Sequence, residues 1–218
     1  MLSVDAEEFI PLVRLLDFCH RLGRFALQSA QENVSSILIS YWGGIVDFDA
    51  VPLNRAVLKG WLAGIAGDEG INDVNAPHKI NALGIKVEVT KSSSVIDYNE
   101  LIEIKTIASD GSERSVKGTL LGKANDPRIV EVDEQAIEVR PVDLLLVVRN
   151  VDKPGIVGKL GTILGDHGVN IANMSLSRAD CGELALTICE LDQEPDNEVL
   201  RLLEADSDIR EARISRQG

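Results

Sequence analysis

Apolar positions in the first thirty residues recur at helical spacing. In DAEEFIPLVRLLDFCHRLGRFALQSA, residues 5–30, Phe9, Leu12, Val13, Leu16, Cys19, Leu22, Phe25, Ala26 and Ser29 fall near one face, with charges elsewhere. Asp5, Glu7 and Glu8 suit the positive end of a helix dipole. VSSILISYWG then reads as a β-branched run closed by Gly43-Gly44. Asp49 to Pro52 reads as a cap ahead of a second helix, LNRAVLKGWLAGIAG. NAPHKINALG predicts a short third helix, with Asn75 as N-cap, Pro77 in its first turn and Gly84 as its stop.

After Gly84 the period changes to two, the spacing of a strand with one face in and one face out. IKVEVT alternates strictly, and LIEIKTIA, SVKGTLLG, RIVEVD and AIEVR follow at short intervals. SDG at 109–111 and DEQ at 133–135 mark hairpin turns, while TKSSSVIDYNE reads as a polar loop. Residues 1–140 are therefore expected to form helices plus an antiparallel sheet. Pro141 opens a second unit, 141–218: DLLLVVR as a strand, Pro154 to His167 as a helix, then NIANMSLSR and CGELALTICEL as strands. PDNEVLRLLEA completes it as a helix and DIREARIS as a last strand. That order, βαββαβ, is ferredoxin-like. The expected fold class is α+β, a helix-plus-antiparallel-sheet domain followed by a ferredoxin-like domain.

The net charge, 22 − 35 = −13, repels a phosphate polymer, and no basic stripe interrupts it. Nucleic acid is not an expected partner. No apolar run reaches the roughly 18 residues of a membrane helix. MLSVDAEEF lacks the basic-then-apolar order of a signal peptide, so no membrane association is expected either. Cys19, Cys181 and Cys189 make an odd count without CxxC spacing, which fits a reduced, cytoplasmic setting. Scattered His20, His78 and His167 offer a metal nothing to build on.

Catalytic signatures are missing too. No GxGxxG follows a strand, and Walker, GxSxG and HExxH motifs are absent. Adjacent Cys19 and His20 diverge by about 100° on a helix, so they make no nucleophile–base pair. No catalytic residue is expected. Ordinary core roles suffice for Trp42, Trp61, Tyr98, Met174 and the leucines of LGTIL, and Cys181 and Cys189 read as inert small hydrophobes.

Polar residues do gather at two junctions in VRNVDKPGIVGKLGTILGDHGVNIANMSLSR: Asn150 and Asp152 before the helix, Asn170 after it. The unpaired N–H groups of a helix start attract a carboxylate. Gly155 admits another backbone without a Cβ in the way. The Asp152 carboxylate and Asn170 amide can accept from an ammonium group. An amino-acid zwitterion needs both halves. On the residues alone, a plain helix cap at Asp152 and a plain turn at Asn170 stand beside that reading and are favoured over it.

The same stretch resembles an ACT domain, the small-molecule sensing module of amino-acid metabolism. Upstream, LLDFCHRLGRFALQ, VLKGWL, VNAPHKINALGIKVEVTKSSSVIDYNELI, VKGTLLGKANDPRIVEVD and IEVRP resemble the allosteric substrate-binding domain of the D-3-phosphoglycerate dehydrogenase family. The resemblance implies the L-serine-sensing, oligomerising part of that enzyme of serine biosynthesis. Serine in that family sits between ACT domains of two subunits joined edge to edge, so a homodimer or tetramer is implied. Carried over by position, Asn150, Asp152 and Asn170 touch serine or another small amino acid. The backbone of Lys153, Pro154, Gly155, Ile156 and Val157 receives its carboxylate. Asn150 departs from the family, where larger polar or aromatic residues are common. The family's upstream domain holds a small anion on basic residues, matched here by Arg128 and Arg140; a third such position is Glu190, which opposes an anion. The dehydrogenase portion that binds NAD lies outside the resemblance. This chain is thus expected to bind no cofactor, to transfer no hydride alone, and to have a separate dehydrogenase chain as a candidate partner. Two alternatives stay open: the small subunit of an iron–sulfur L-serine dehydratase, whose cluster three dispersed cysteines cannot ligate, and a free-standing amino-acid-binding scaffold.

Overall fold

The computed structural model describes residues 6–67, 69–94, 96–178 and 184–217. The chain divides into two compact units, Met1–Asp133 and Glu134–Gly218.

In the first unit α1 (Ala6–Gln28) is followed by β1 (Val34–Gly43), a 3-10 turn (Gly44–Asp47), α2 (Ala50–Ala66) and α3 (Ala76–Ala82). Four strands complete it: β2 (Lys86–Ser92), β3 (Glu100–Ala108), β4 (Glu113–Leu121) and β5 (Asp126–Val132). Within this unit the strands neighbour one another in the order β2-β1-β3-β4-β5. Its hairpin-linked pairs are antiparallel, but β1 and β2 are parallel. Two helices intervene between β1 and β2, and a helical crossover returns the chain in its original direction. The sheet is therefore mixed where alternation alone suggested an antiparallel one.

Caps set the helix starts. The Asp49 carboxylate accepts from the Val51 N–H at 3.0 Å at the head of α2. Asn75 occupies the N-cap position of α3 but caps nothing; its side-chain oxygen accepts from the Asn72 N–H instead, at 2.9 Å. Phe18, Leu22, Phe25, Tyr41, Leu53 and Trp61 are buried, whereas Trp42 and Tyr98 are only partly so. The Tyr41 hydroxyl donates to the Asn54 side-chain oxygen at 2.7 Å. α1 and α2 touch backbone to backbone. A Cβ on Gly23 would stand 2.1 Å from the Val57 carbonyl oxygen, and one on Gly60 1.8 Å from that of His20.

By contacts the division falls after Asp133, yet β6 (Gln135–Val139) is the sixth strand in the order of the first sheet, and its Glu138 carbonyl accepts from the Ser175 hydroxyl. Then come β7 (Leu144–Val151), α4 (Ile156–Asp166), β8 (Ile171–Arg178), β9 (Leu184–Leu191), α5 (Asn197–Glu204) and β10 (Ile209–Arg216). The sheet order is β10-β7-β9-β8, with every neighbouring pair antiparallel, as a ferredoxin-like βαββαβ chain requires. Leu146, Val148, Leu160, Leu164, Cys189 and Leu203 fill the core, with Met174 and Ile163 packed against it. Burial pushes the Cys189 thiol up to about 12, the behaviour of a small hydrophobe. Cys181 lies outside the described residues. α4 starts two residues later than expected. Gly155 is its N-cap with φ +97°, a left-handed turn that leaves Pro154 ahead of the helix, and α4 closes one residue before His167. Among the described residues no helix is long and apolar enough to cross a membrane.

Candidate functional site

β7 delivers Asn150 and Val151 to the loop 152–155, and α4 leaves that loop. Its first hydrogen bond runs from the Lys159 N–H to the Gly155 carbonyl at 2.9 Å, so the N–H groups of Ile156, Val157 and Gly158 precede the ladder. Among the described residues nothing stands within 4 Å of where a Gly155 Cβ would lie. A small molecule can therefore approach the loop and the positive end of the α4 dipole. Val157 is half exposed there, while Ile156 is buried.

Each polar side chain of the loop already has a partner. The Asp152 carboxylate pairs with the Arg178 guanidinium at 3.2 Å. Lys153 reaches Asp208 at 2.6 Å, and Lys159 reaches Asp206 at 2.6 Å and Asp208 at 3.1 Å. Hydrogen bonding to Lys159 holds the Asp206 carboxyl below its ordinary range, and bonding to Lys153, then Lys159, does the same for Asp208. Reciprocally, Asp206 and then Asp208 raise Lys159. These pairs tie the start of α4 to the loop between α5 and β10.

Asn150 does not face the opening. It is 1% exposed; its amide donates to the Val151 carbonyl at 2.9 Å, and its oxygen accepts from the Thr187 hydroxyl at 3.3 Å. Asn170 is exposed, and its amide donates to the Asp192 carboxylate.

The two junctions do not meet within one chain. Asn150 and Arg178 are both level with Ala185 of β9, whereas Ile171, next to Asn170, is level with Leu191. Six residues of strand separate those levels, roughly 20 Å at the antiparallel rise. Asp152 and Asn170 of one copy therefore lie at opposite ends of β8. β7 runs one way, α4 returns and β8 runs the first way again, so the two ends of α4 fall at opposite ends of the sheet.

The two arginines read as anion ligands belong to different units. Arg128 is mostly buried, pairs with Asp126 at 2.8 Å and donates to the Pro127 carbonyl at 2.8 Å. Arg140 is exposed, and its backbone N–H donates to Glu190 at 3.3 Å. Glu190, buried, also accepts from the Asn173 amide at 3.1 Å. Cys19 and Cys189 are each buried in a separate unit, and no group of three or more His, Cys, Asp or Glu suited to a metal occurs among the described residues. Arg178, Asp192, Asp206 and Asp208 escaped the sequence reading. Their partners lie 22 to 55 residues away in sequence, and no local spacing marks such a pair.

Comparison with known proteins adds a second line. The family model of the D-3-phosphoglycerate dehydrogenase intervening domain matches residues 11–133, and that of the ACT domain residues 144–208. The D-3-phosphoglycerate dehydrogenase of Mycobacterium leprae is 32% identical over 197 residues, 90% of this chain and 37% of the relative. That of Methanocaldococcus jannaschii is 29% identical over 214 residues, 98% of this chain and 40% of the relative. That of Synechocystis sp. is 35% identical over 173 residues, 79% and 30% respectively. The chain thus spans well under half the length of the curated relatives it matches.

Proposed function

The chain belongs to the D-3-phosphoglycerate dehydrogenase intervening-domain family, with an ACT domain behind that unit, and we propose that it is the L-serine-sensing, oligomerising portion of such a dehydrogenase. The observation that carries the reading is the disposition of Asn170 and Arg178 about β8. They lie symmetrically about Met174, at the two ends of a strand that is last in its sheet. A second copy pairing its own β8 antiparallel about Met174 brings its Asn170 beside Arg178 and Asp152 of the first.

Each such junction is complete for a zwitterion. The serine carboxylate meets the N–H groups at the head of α4, where Gly155 leaves room. Its ammonium replaces the Arg178 guanidinium on Asp152 and takes a further acceptor from the Asn170 oxygen of the second copy. Asn150, satisfied inside the fold, supports the loop from below. Serine then favours the paired arrangement by its differential affinity, a coupling of about 1–3 kcal/mol. Hydride transfer and NAD fall to the dehydrogenase portion, and a reduced, cytoplasmic setting suits thiols buried as Cys19 and Cys189 are. An anion role for Arg128 is part of the proposal, with Asp126 as the carboxylate an anion displaces.

Calorimetric titration of the full chain with L-serine tests the reading. Heat of binding with a shift toward dimer in sedimentation is expected, and Asp152→Ala abolishes both. Absence of heat at millimolar serine removes serine as the ligand.

A further inference from the structure

β2 is an edge. It is last in the sheet order of the first unit, and its recorded ladder is the parallel one with β1. Edge strands usually carry lysine or other charges that discourage a second strand from adding. β2 does carry charges: Lys86 and Glu88 are exposed, bonded to one another along the strand. Their placement, however, does not discourage every strand.

In Ile85-Lys86-Val87-Glu88-Val89, turning the run end over end about Val87 gives back its own chemistry. An antiparallel second copy in that register sets Val87 against Val87, Lys86 against Glu88 in both directions, and Ile85 against Val89 in both directions. Residues directly opposite in such a pair share a face of the sheet and interact. One face of the seam is then wholly aliphatic, and the other carries two opposite-charge pairs. Neighbouring registers fail. Centring on Glu88 opposes two carboxylates and leaves Lys86 against Thr90, while centring on Val89 sets Val87 against Lys91.

The aliphatic face also borders an uncovered groove. Val51, Leu58 and Pro77 line a cavity of about 480 Å³ together with Ile85, Val87 and Val89. Val51 is 49% exposed and Val89 42%. Pairing about Val87 covers Val89 and makes the two grooves continuous.

We propose that β2 is a homodimer seam in which two copies of this chain join antiparallel about Val87. The occupant is a second copy because charge and apolar pattern complement themselves in a single register. This contact is separate from the β8 pairing and rests on different residues.

Charge reversal in the full chain tests it by sedimentation equilibrium. Lys86→Glu or Glu88→Lys turns two attractive pairs into two repulsive ones and is expected to weaken the contact by about tenfold. The double variant, Lys86→Glu with Glu88→Lys, restores the complementarity and the association. Both residues are exposed, so none of these variants disturbs the core. Val87→Cys on the two-fold places two thiols within disulfide reach, opposite strand residues having Cα atoms about 4.5–5.5 Å apart. It is expected to give a covalent dimer on oxidation, above the wild-type background. Equal association of wild type, single and double variants, with no added covalent dimer from Val87→Cys, overturns the seam.

Discussion

The Asp152 carboxylate and the Arg178 guanidinium stand 3.2 Å apart at the mouth between α4 and β8, the first mostly buried and the second mostly exposed. On the proposed reading, a cation thus already stands where the amino-acid ammonium is to bind. The arginine orients the carboxylate, and it is solvated enough to leave.

Arg178→Gln should tighten L-serine binding. The arginine competes for the same carboxylate, and an exposed pair is worth about 0–1 kcal/mol, or up to roughly fivefold in affinity. Titration calorimetry reads the change directly. Weaker binding in this variant would make Arg178 a ligand-contacting group instead of a competitor.

Gly60→Ala should destabilise the first unit strongly. A methyl group there would sit 1.8 Å from the His20 carbonyl oxygen, so the two helices must separate. The expected cost is about 3 kcal/mol, the upper end of overpacking in a core. Gly161→Ala, with nothing within 4 Å among the described residues, is the control and should not destabilise. Urea denaturation of the two variants separates crowding from a general intolerance of glycine substitution.

Lys159→Met should cost stability over a defined pH window. Asp206 and Asp208 are lowered from 3.8, so what they contribute is present above that value and lost as pH falls through their depressed folded values. Lys159 is raised from 10.5, so its share is present below that value and lost as pH rises through the folded value. The melting-temperature gap between wild type and variant is therefore widest between about pH 5 and 9. It should narrow on both sides. A gap that stays constant down to pH 2 would show that Lys159 acts by packing alone.

Much of the architecture was legible because burial and periodicity are local. VSSILISYWG, the βαββαβ order and the Asp49 cap all appear as read. The direction of β2 was not legible, since alternation in IKVEVT fixes which side chains share a face and says nothing about the neighbouring strand's polarity. Nor did Gly23 and Gly60 stand out; their role depends on where two helices cross, and each sits in an unremarkable amphipathic run. At the site, nearness in sequence is not nearness in space. Asp152 and Asn170 are 18 residues apart with one helix between them, yet that helix carries the chain to the far end of the sheet.

The topology itself supplies the sharpest test. If each site takes Asp152 from one copy and Asn170 from the other, Asp152→Ala and Asn170→Ala homodimers each lack a group at both sites. Mixed together, they form a heterodimer with one wholly intact site and one doubly deficient site. Titration calorimetry of the mixture with L-serine is predicted to recover near wild-type affinity at one site per heterodimer, while neither parent binds. A mixture as silent as its parents, or either single variant binding like wild type, would contradict a sensor shared between two copies.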